Sequence, residues 1–120
     1  MDTHLYSPGL HKLLTLGVSS SLKLTDLEGF KTCTQNILDN HELEQVGFSS
    51  HVFDNDSFTA AVCLKESHIC IHTWPEFGQL TIDIYLCNYL RDNSEKVRAV
   101  AADFIAYFEA GIISDHEINR

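Results

Sequence analysis

The chain has 120 residues, 44% of them hydrophobic, and a formal charge of −9 at pH 7. That size and apolar content suit one domain with its own core and argue against disorder. The charge argues against nucleic acid as the main partner, since phosphate binding needs clustered Lys and Arg, and with no membrane-length apolar run and no signal-peptide pattern in Met1 to Leu10 a soluble cytoplasmic protein without membrane contact is expected.

In chain order, His11 to Val18 is a short apolar stretch that reads as a strand. Thr25 to Asn40 reads as a helix, with Thr25 and Glu28 fitting a capping box and Leu27, Phe30, Cys33, Ile37 and Leu38 on one face. Gln45 to Phe53 and Phe58 to Leu64 read as strands around a turn of Asp54, Asn55, Asp56 and Ser57. His68 to Thr73 and Thr81 to Cys87 follow as strands, joined through Pro75 and Gly78. Ser94 to Ala110 predicts a second helix, buried along Val97, Val100, Ala101, Phe104, Ile105 and Phe108 and ended by Gly111. Ile112 to Ile118 fits a final strand.

The order β-α-β-β-β-β-α-β lacks crossover helices between most strands, so a mainly antiparallel sheet is expected. Two helices on one face make an α+β two-layer sandwich, with the other face bare or covered by a second copy. Nothing in the pattern suggests a linker or a repeat, so residues 1–120 are read as one domain. The four cysteines, Cys33, Cys63, Cys70 and Cys87, form no CxxC pair and are expected to be reduced. The three at or in strands are expected to be small buried hydrophobes.

The segment Glu66-Ser67-His68-Ile69-Cys70-Ile71-His72-Thr73-Trp74-Pro75-Glu76 stands apart. Alternation along a strand puts His68, Cys70 and His72 on one face. Three readings are open from the residues alone. One is a polar strand face with hydrogen-bonded histidines. A second is a metal site of His68, Cys70 and His72, opposed by the length of strand those ligands would span. The third is covalent chemistry at Ser67 with a histidine as acid or base.

This string resembles the processing site of the small, prokaryotic-type S-adenosylmethionine decarboxylases. The Glu-Ser-His start, the second histidine five residues after Ser67, the Thr-Trp-Pro-Glu end and Cys87 twenty residues after Ser67 all match. Phe53 and Thr59 fall where the family carries a stacking phenylalanine and a small hydroxyl residue. The resemblance implies self-cleavage between Glu66 and Ser67 into chains 1–66 and 67–120. The Ser67 hydroxyl attacks the Glu66 carbonyl, giving an ester in place of the peptide bond. Loss of the Ser67 α-proton then expels the Glu66 carboxylate, and hydrolysis with release of ammonia leaves a pyruvoyl group at 67.

That covalent pyruvoyl cofactor, derived from Ser67, would form a Schiff base with the substrate amine and act as electron sink for decarboxylation. By resemblance His72 is the processing base, Cys87 the proton donor, and Thr59 and His68 support the site. Phe53 would stack on adenine, Glu76 would hold the ribose hydroxyls, and Trp74 would wall the pocket or pack. No metal is implied. The substrate would be S-adenosylmethionine, decarboxylated to the aminopropyl donor for spermidine synthesis, and the processed protomers would form at least a dimer.

The chain departs from the family pattern at Cys70, where Ser or Thr is usual, at Leu86 and Asn88 beside Cys87, and across Leu16 to Leu24. Those departures bear on the substrate. A homologous decarboxylase of arginine or ornithine, and an unprocessed non-catalytic homologue, are the alternatives.

Overall fold

Period-two alternation of buried and more exposed residues, clearest in the third and fifth strands, marks the inner part of a six-stranded sheet whose second and last strands are largely exposed. The computed structural model describes residues 7–88 and 91–120. Residues 1–6, part of the stretch read above for a signal peptide, lie outside the described residues. The strands are β1 (Leu10–Gly17), β2 (Gln45–Val52), β3 (Phe58–Leu64), β4 (Ser67–Trp74), β5 (Gln79–Leu86) and β6 (Gly111–Asn119). The helices are α1 (Ser21–Leu24), α2 (Leu27–Asn40) and α3 (Ser94–Phe108). The strands lie in the order β2-β3-β4-β5-β1-β6, every neighbouring pair antiparallel. The two-layer α+β expectation stands, and among the described residues no helix is long and apolar enough to cross a membrane.

One sheet face carries the core. Leu14 and Leu16 of β1, Phe58 and Val62 of β3, Ile69 and Ile71 of β4, and Leu80, Ile82 and Ile84 of β5 are buried there. Phe30 and Leu38 of α2 and Val97, Val100, Phe104 and Phe108 of α3 close over them. Phe30 lies 5.8 Å from Phe104 and 5.7 Å from Phe58, ring centre to ring centre, and joins both helices to the sheet. Each such side chain contributes about 1.5–3 kcal/mol by leaving water. Among the described residues the opposite face carries no helix, and it holds His11, Thr59, His68, Cys70, His72, Asp83 and Tyr85.

Three local expectations change. The helix expected from Thr25 is α2, capped by Asp26, whose side chain accepts from the Gly29 N–H at 2.9 Å, and Thr25 is not the cap. Thr25 instead closes α1, donating its hydroxyl to Ser21 O and Leu22 O. That four-residue helix is too short to leave a periodic signal. The helix expected over Ser94 to Ala110 is α3, and it ends at Phe108 because Glu109 turns left-handed (φ 50°), with Glu109 N–H on Ala106 O and Ala110 N–H on Ile105 O. Gly111 begins β6 instead of ending the helix. The strand cysteines are also not buried: Cys63 is exposed and Cys70 and Cys87 are partly exposed, because they fall on or beside the uncovered face.

Two features set the ends of β4. Thr73 is buried and donates to Leu24 O at 2.8 Å while accepting from Phe58 N–H at 2.9 Å, so the last turn of α1 is tied to β3 and β4. A single 3₁₀ turn, Pro75–Phe77, then leads into Gly78 at φ 61°. A Cβ there would also stand 3.2 Å from Val18 O, and only glycine meets both conditions without strain.

Candidate active site

At the β3–β4 end of the sheet, Leu64 pairs with Ser67 across a two-residue turn of Lys65 and Glu66. Glu66 adopts φ 58°, a left-handed conformation that costs a side-chain-bearing residue about 1–2 kcal/mol. The bond between Glu66 and Ser67 therefore follows a strained residue. Ser67 Oγ accepts the Cys87 N–H at 3.0 Å, and the Cys87 thiol points at Glu66 Oε2 at 3.7 Å. Glu66, Ser67 and Cys87 thus meet, although twenty residues separate the serine from the cysteine.

The loop carrying Cys87 is held by two asparagines to which sequence reasoning assigns no role. Asn93 donates to Cys87 O at 2.8 Å, and Asn88 donates to Pro8 O at 2.9 Å while accepting the Asn93 N–H at 2.8 Å. Asn88, one of the departures from the family pattern, is buried and works as a brace. The residue type is visible in the sequence, but its partners are not.

At the other end of β4, Phe53, Asn55, Ser57, Phe58, Thr59, His72, Thr73, Trp74 and Glu76 line an open cleft of about 330 Å³. Phe53 and Trp74 are exposed, offering flat apolar surface. Glu76 accepts from Asn55 Nδ2 at 3.0 Å, which aims the carboxylate across the cleft. The sequence pattern marks Asn55 only as a turn residue. Thr59 Oγ1 bonds His72 Nδ1 and reaches Ile71 O at 3.2 Å. A carbonyl can only accept, so the hydroxyl proton goes to Ile71 O and the His72 Nδ1–H donates to Thr59. His72 Nε2 is then left with its lone pair, as a base requires.

The two ends do not meet within one chain. Ser67 and His72 are five residues apart on β4, or about 17 Å at 3.3 Å per residue. His72, Thr59, Phe53, Trp74 and Glu76 are brought together, and Glu66, Ser67 and Cys87 are brought together, as separate groups. His68 belongs to neither. Its Nε2 lies 3.5 Å from Asp83 Oδ2, and the His11 Nε2 lies 3.0 Å from the same oxygen. The along-strand metal reading of His68, Cys70 and His72 has no support in this geometry. The cluster of metal-ligand type among the described residues is His11, His68 and Asp83, gathered across strands.

The thiols differ in setting. Burial, with Asp103 nearby, pushes the Cys33 thiol up to about 11, so it is inert near neutral pH. Burial also raises the Cys70 thiol, helped by Asp83 and Cys63. Neither is poised as an acid for chemistry.

Comparison with known proteins identifies the family and the fold. The family model described as S-adenosylmethionine decarboxylase matches residues 11–120. The chain is similar to the S-adenosylmethionine decarboxylase proenzyme of Archaeoglobus fulgidus, 35% identical over 113 residues, covering 93% of this chain and 96% of that protein. It is similar to the proenzyme of the same name from Thermodesulfovibrio yellowstonii, 28% identical over 116 residues, covering 97% and 83%. With the one from Sulfurihydrogenibium sp. it shares 35% identity over 79 residues, 66% of this chain and 59% of that protein. Among solved structures, the adenosylmethionine decarboxylase of Aquifex aeolicus superposes with a TM-score of 0.78 over 96% of this chain and 90% of that one. At 23% identity, that likeness establishes the fold.

Proposed function

The chain belongs to the S-adenosylmethionine decarboxylase family, and from that premise we propose that it cuts itself between Glu66 and Ser67 and decarboxylates S-adenosylmethionine, supplying an aminopropyl donor for spermidine synthesis. The observation that carries the reading is the junction itself. A left-handed Glu66 precedes a serine whose hydroxyl oxygen is fixed by the Cys87 N–H at 3.0 Å. The hydroxyl is held beside the bond it must attack, and the strain at Glu66 is released when that bond breaks.

The surroundings fit a pyruvoyl group at position 67. Such a group supplies the carbonyl sink that draws electrons from the departing carboxylate. The Cys87 backbone N–H that now holds Ser67 Oγ stays at that position to orient what replaces it. The Cys87 thiol now faces the Glu66 carboxylate at 3.7 Å. Cleavage makes Glu66 a chain end, free to withdraw, and leaves the thiol facing the reacting carbon with a proton to donate. Glu76, aimed by Asn55, suits ribose hydroxyls, and the exposed Phe53 ring suits a purine face. An acidic protein favours a sulfonium cation over an anionic substrate.

The gap of about 17 Å along β4 within one chain argues for two chains per site. A two-fold axis that lays one open sheet face on another with the β4 strands antiparallel sets the Ser67 end of one copy against the His72 end of the other. That arrangement is self-complementary, as a closed dimer needs. It also covers the exposed Trp74 and Ile118 on the uncovered face. Unpaired cysteines are in keeping with a reducing, cytoplasmic setting.

Intact-mass measurement of purified protein is the test. Two fragments matching 1–66 and 67–120, the second blocked by pyruvoyl, together with carbon dioxide release from S-adenosylmethionine, are expected. A single species that never matures refutes the cleavage. Release from arginine or ornithine instead refutes the substrate.

A further inference from the structure

Near the middle of the uncovered face, three adjacent strands aim three ligand atoms at one point. His11 of β1, Asp83 of β5 and His68 of β4 each offer one ligand atom, all within 4.8 Å of one another. The two nitrogens approach the same carboxylate oxygen, at 3.0 and 3.5 Å. Those two separations are close to the about 3.3 Å between neighbouring ligands in a tetrahedral shell with bonds of about 2.0–2.1 Å, and closing the His11–His68 pair onto an ion takes only side-chain rotation. We infer that His11, His68 and Asp83 form a binding site for one divalent transition ion of the zinc type, distinct from the residues that process Ser67.

The chemistry of the set favours such an ion over a hard one. Two imidazoles and one carboxylate suit zinc, cobalt or iron(II), whereas magnesium and calcium prefer oxygen ligands. The set is preorganised. Sheet hydrogen bonds fix the three strands, with His11 and His68 both paired in register with Tyr85. The Tyr85 ring contacts both imidazoles, with centroid separations of 5.7 Å to each, and holds their planes. The His11 side chain is nearly enclosed at 9% exposure, whereas His68 at 37% and Asp83 at 31% leave an opening on one side. An ion there keeps one or more positions on the open side of the chain, for water or for a group of the facing copy.

One contact opposes binding. Arg120 Nη1 lies 3.3 Å from His11 Nδ1 and donates to it, so His11 carries its proton on Nε2, toward Asp83. An ion on Nε2 moves that proton to Nδ1, where it faces the guanidinium. Arg120 is exposed and its contact is long, so it can swing away, but the cost makes it a built-in competitor.

The test uses metal-stripped protein titrated with Co²⁺ and then Zn²⁺. One Co²⁺ per chain, visible d–d absorption and displacement by an equal amount of Zn²⁺ are expected. Asp83→Asn and His11→Ala should each weaken binding more than about 100-fold, beyond the loss of an outer-shell contact. Arg120→Ala should tighten it several-fold. Because His11 is buried, His68→Ala at a half-exposed position serves as the variant least dependent on folding. Absent absorption, or binding unchanged in His68→Ala and Asp83→Asn, overturns the site. Neither outcome depends on whether Ser67 is cut, because Ser67→Ala chains can be titrated in parallel and must bind equally.

Discussion

Co-expressing a Ser67→Ala chain with a His72→Ala chain separates chemistry within one chain from chemistry between two. Neither chain alone has both groups. Five residues of extended strand place them about 17 Å apart, against a reach of about 3 Å for proton transfer. No rotamer of a histidine spans that difference, and β4 cannot bend to close it while paired on both sides with β3 and β5. If the site forms between copies, a mixed dimer holds one complete site, made of Ser67 from the His72→Ala chain and His72 from the Ser67→Ala chain. Random pairing of equal amounts puts about half of the His72→Ala chains in mixed dimers. Intact mass should then show about half of the His72→Ala chains cut and none of the Ser67→Ala chains. Either variant expressed alone should stay whole. A site shared between two copies is refuted if His72→Ala matures by itself, or if the mixture shows no cut chain while a mixed dimer is present by native mass.

The strain at the junction has its own test. In a Ser67→Ala background, Glu66→Gly should raise stability by about 1 kcal/mol, read from the denaturation midpoint, and with Ser67 present it should slow cleavage. Cys87→Ala should mature normally but lose decarboxylation by about 10²–10⁴-fold, since proton donation is removed and the backbone N–H on position 67 is kept. Hydrogen bonds from Arg98 and Lys12 hold the Glu117 carboxyl down to about 2, against 4.5 ordinarily. A depressed carboxyl stabilises the fold above its unfolded value and loses that effect as pH falls through the folded one. Glu117→Gln should flatten the pH dependence of stability between about 4.5 and 2 in acid denaturation, with little change in slope above it. The Thr34 hydroxyl is buried without a hydrogen-bond partner among the described residues, so Thr34→Val should be neutral or stabilise by up to about 1 kcal/mol in thermal melts.

What lies along a strand is legible in the sequence. Alternation puts His68, Cys70 and His72 on one face, whereas the contact of Ser67 with Cys87 is implied by the family resemblance and not by the strand pattern. What lies across strands is hidden. His11 and Asp83 are 72 residues apart, and only the insertion of β1 between β5 and β6 brings them side by side. The same limit conceals that Ser67 and His72 are held apart, because a short interval in sequence becomes a long one on an extended strand. The helix cap differs by one residue for a local reason. Thr25 and Asp26 are both competent caps, and α1 takes the threonine.

Strand order also decides what a cut at Glu66 leaves behind. The first fragment owns β1, β2 and β3, and the second owns β4, β5 and β6. In the sheet these are interleaved, with β1 of the first fragment clasped between β5 and β6 of the second, and β3 zipped to β4. The two pieces therefore share three ladders and one core, and neither can be withdrawn without unravelling the other. A cut there would make one folded unit out of two chains without moving a strand. After such a cut unfolding is also dissociation of the two pieces: the melting temperature of the cut form should rise more steeply with protein concentration than that of the uncut chain.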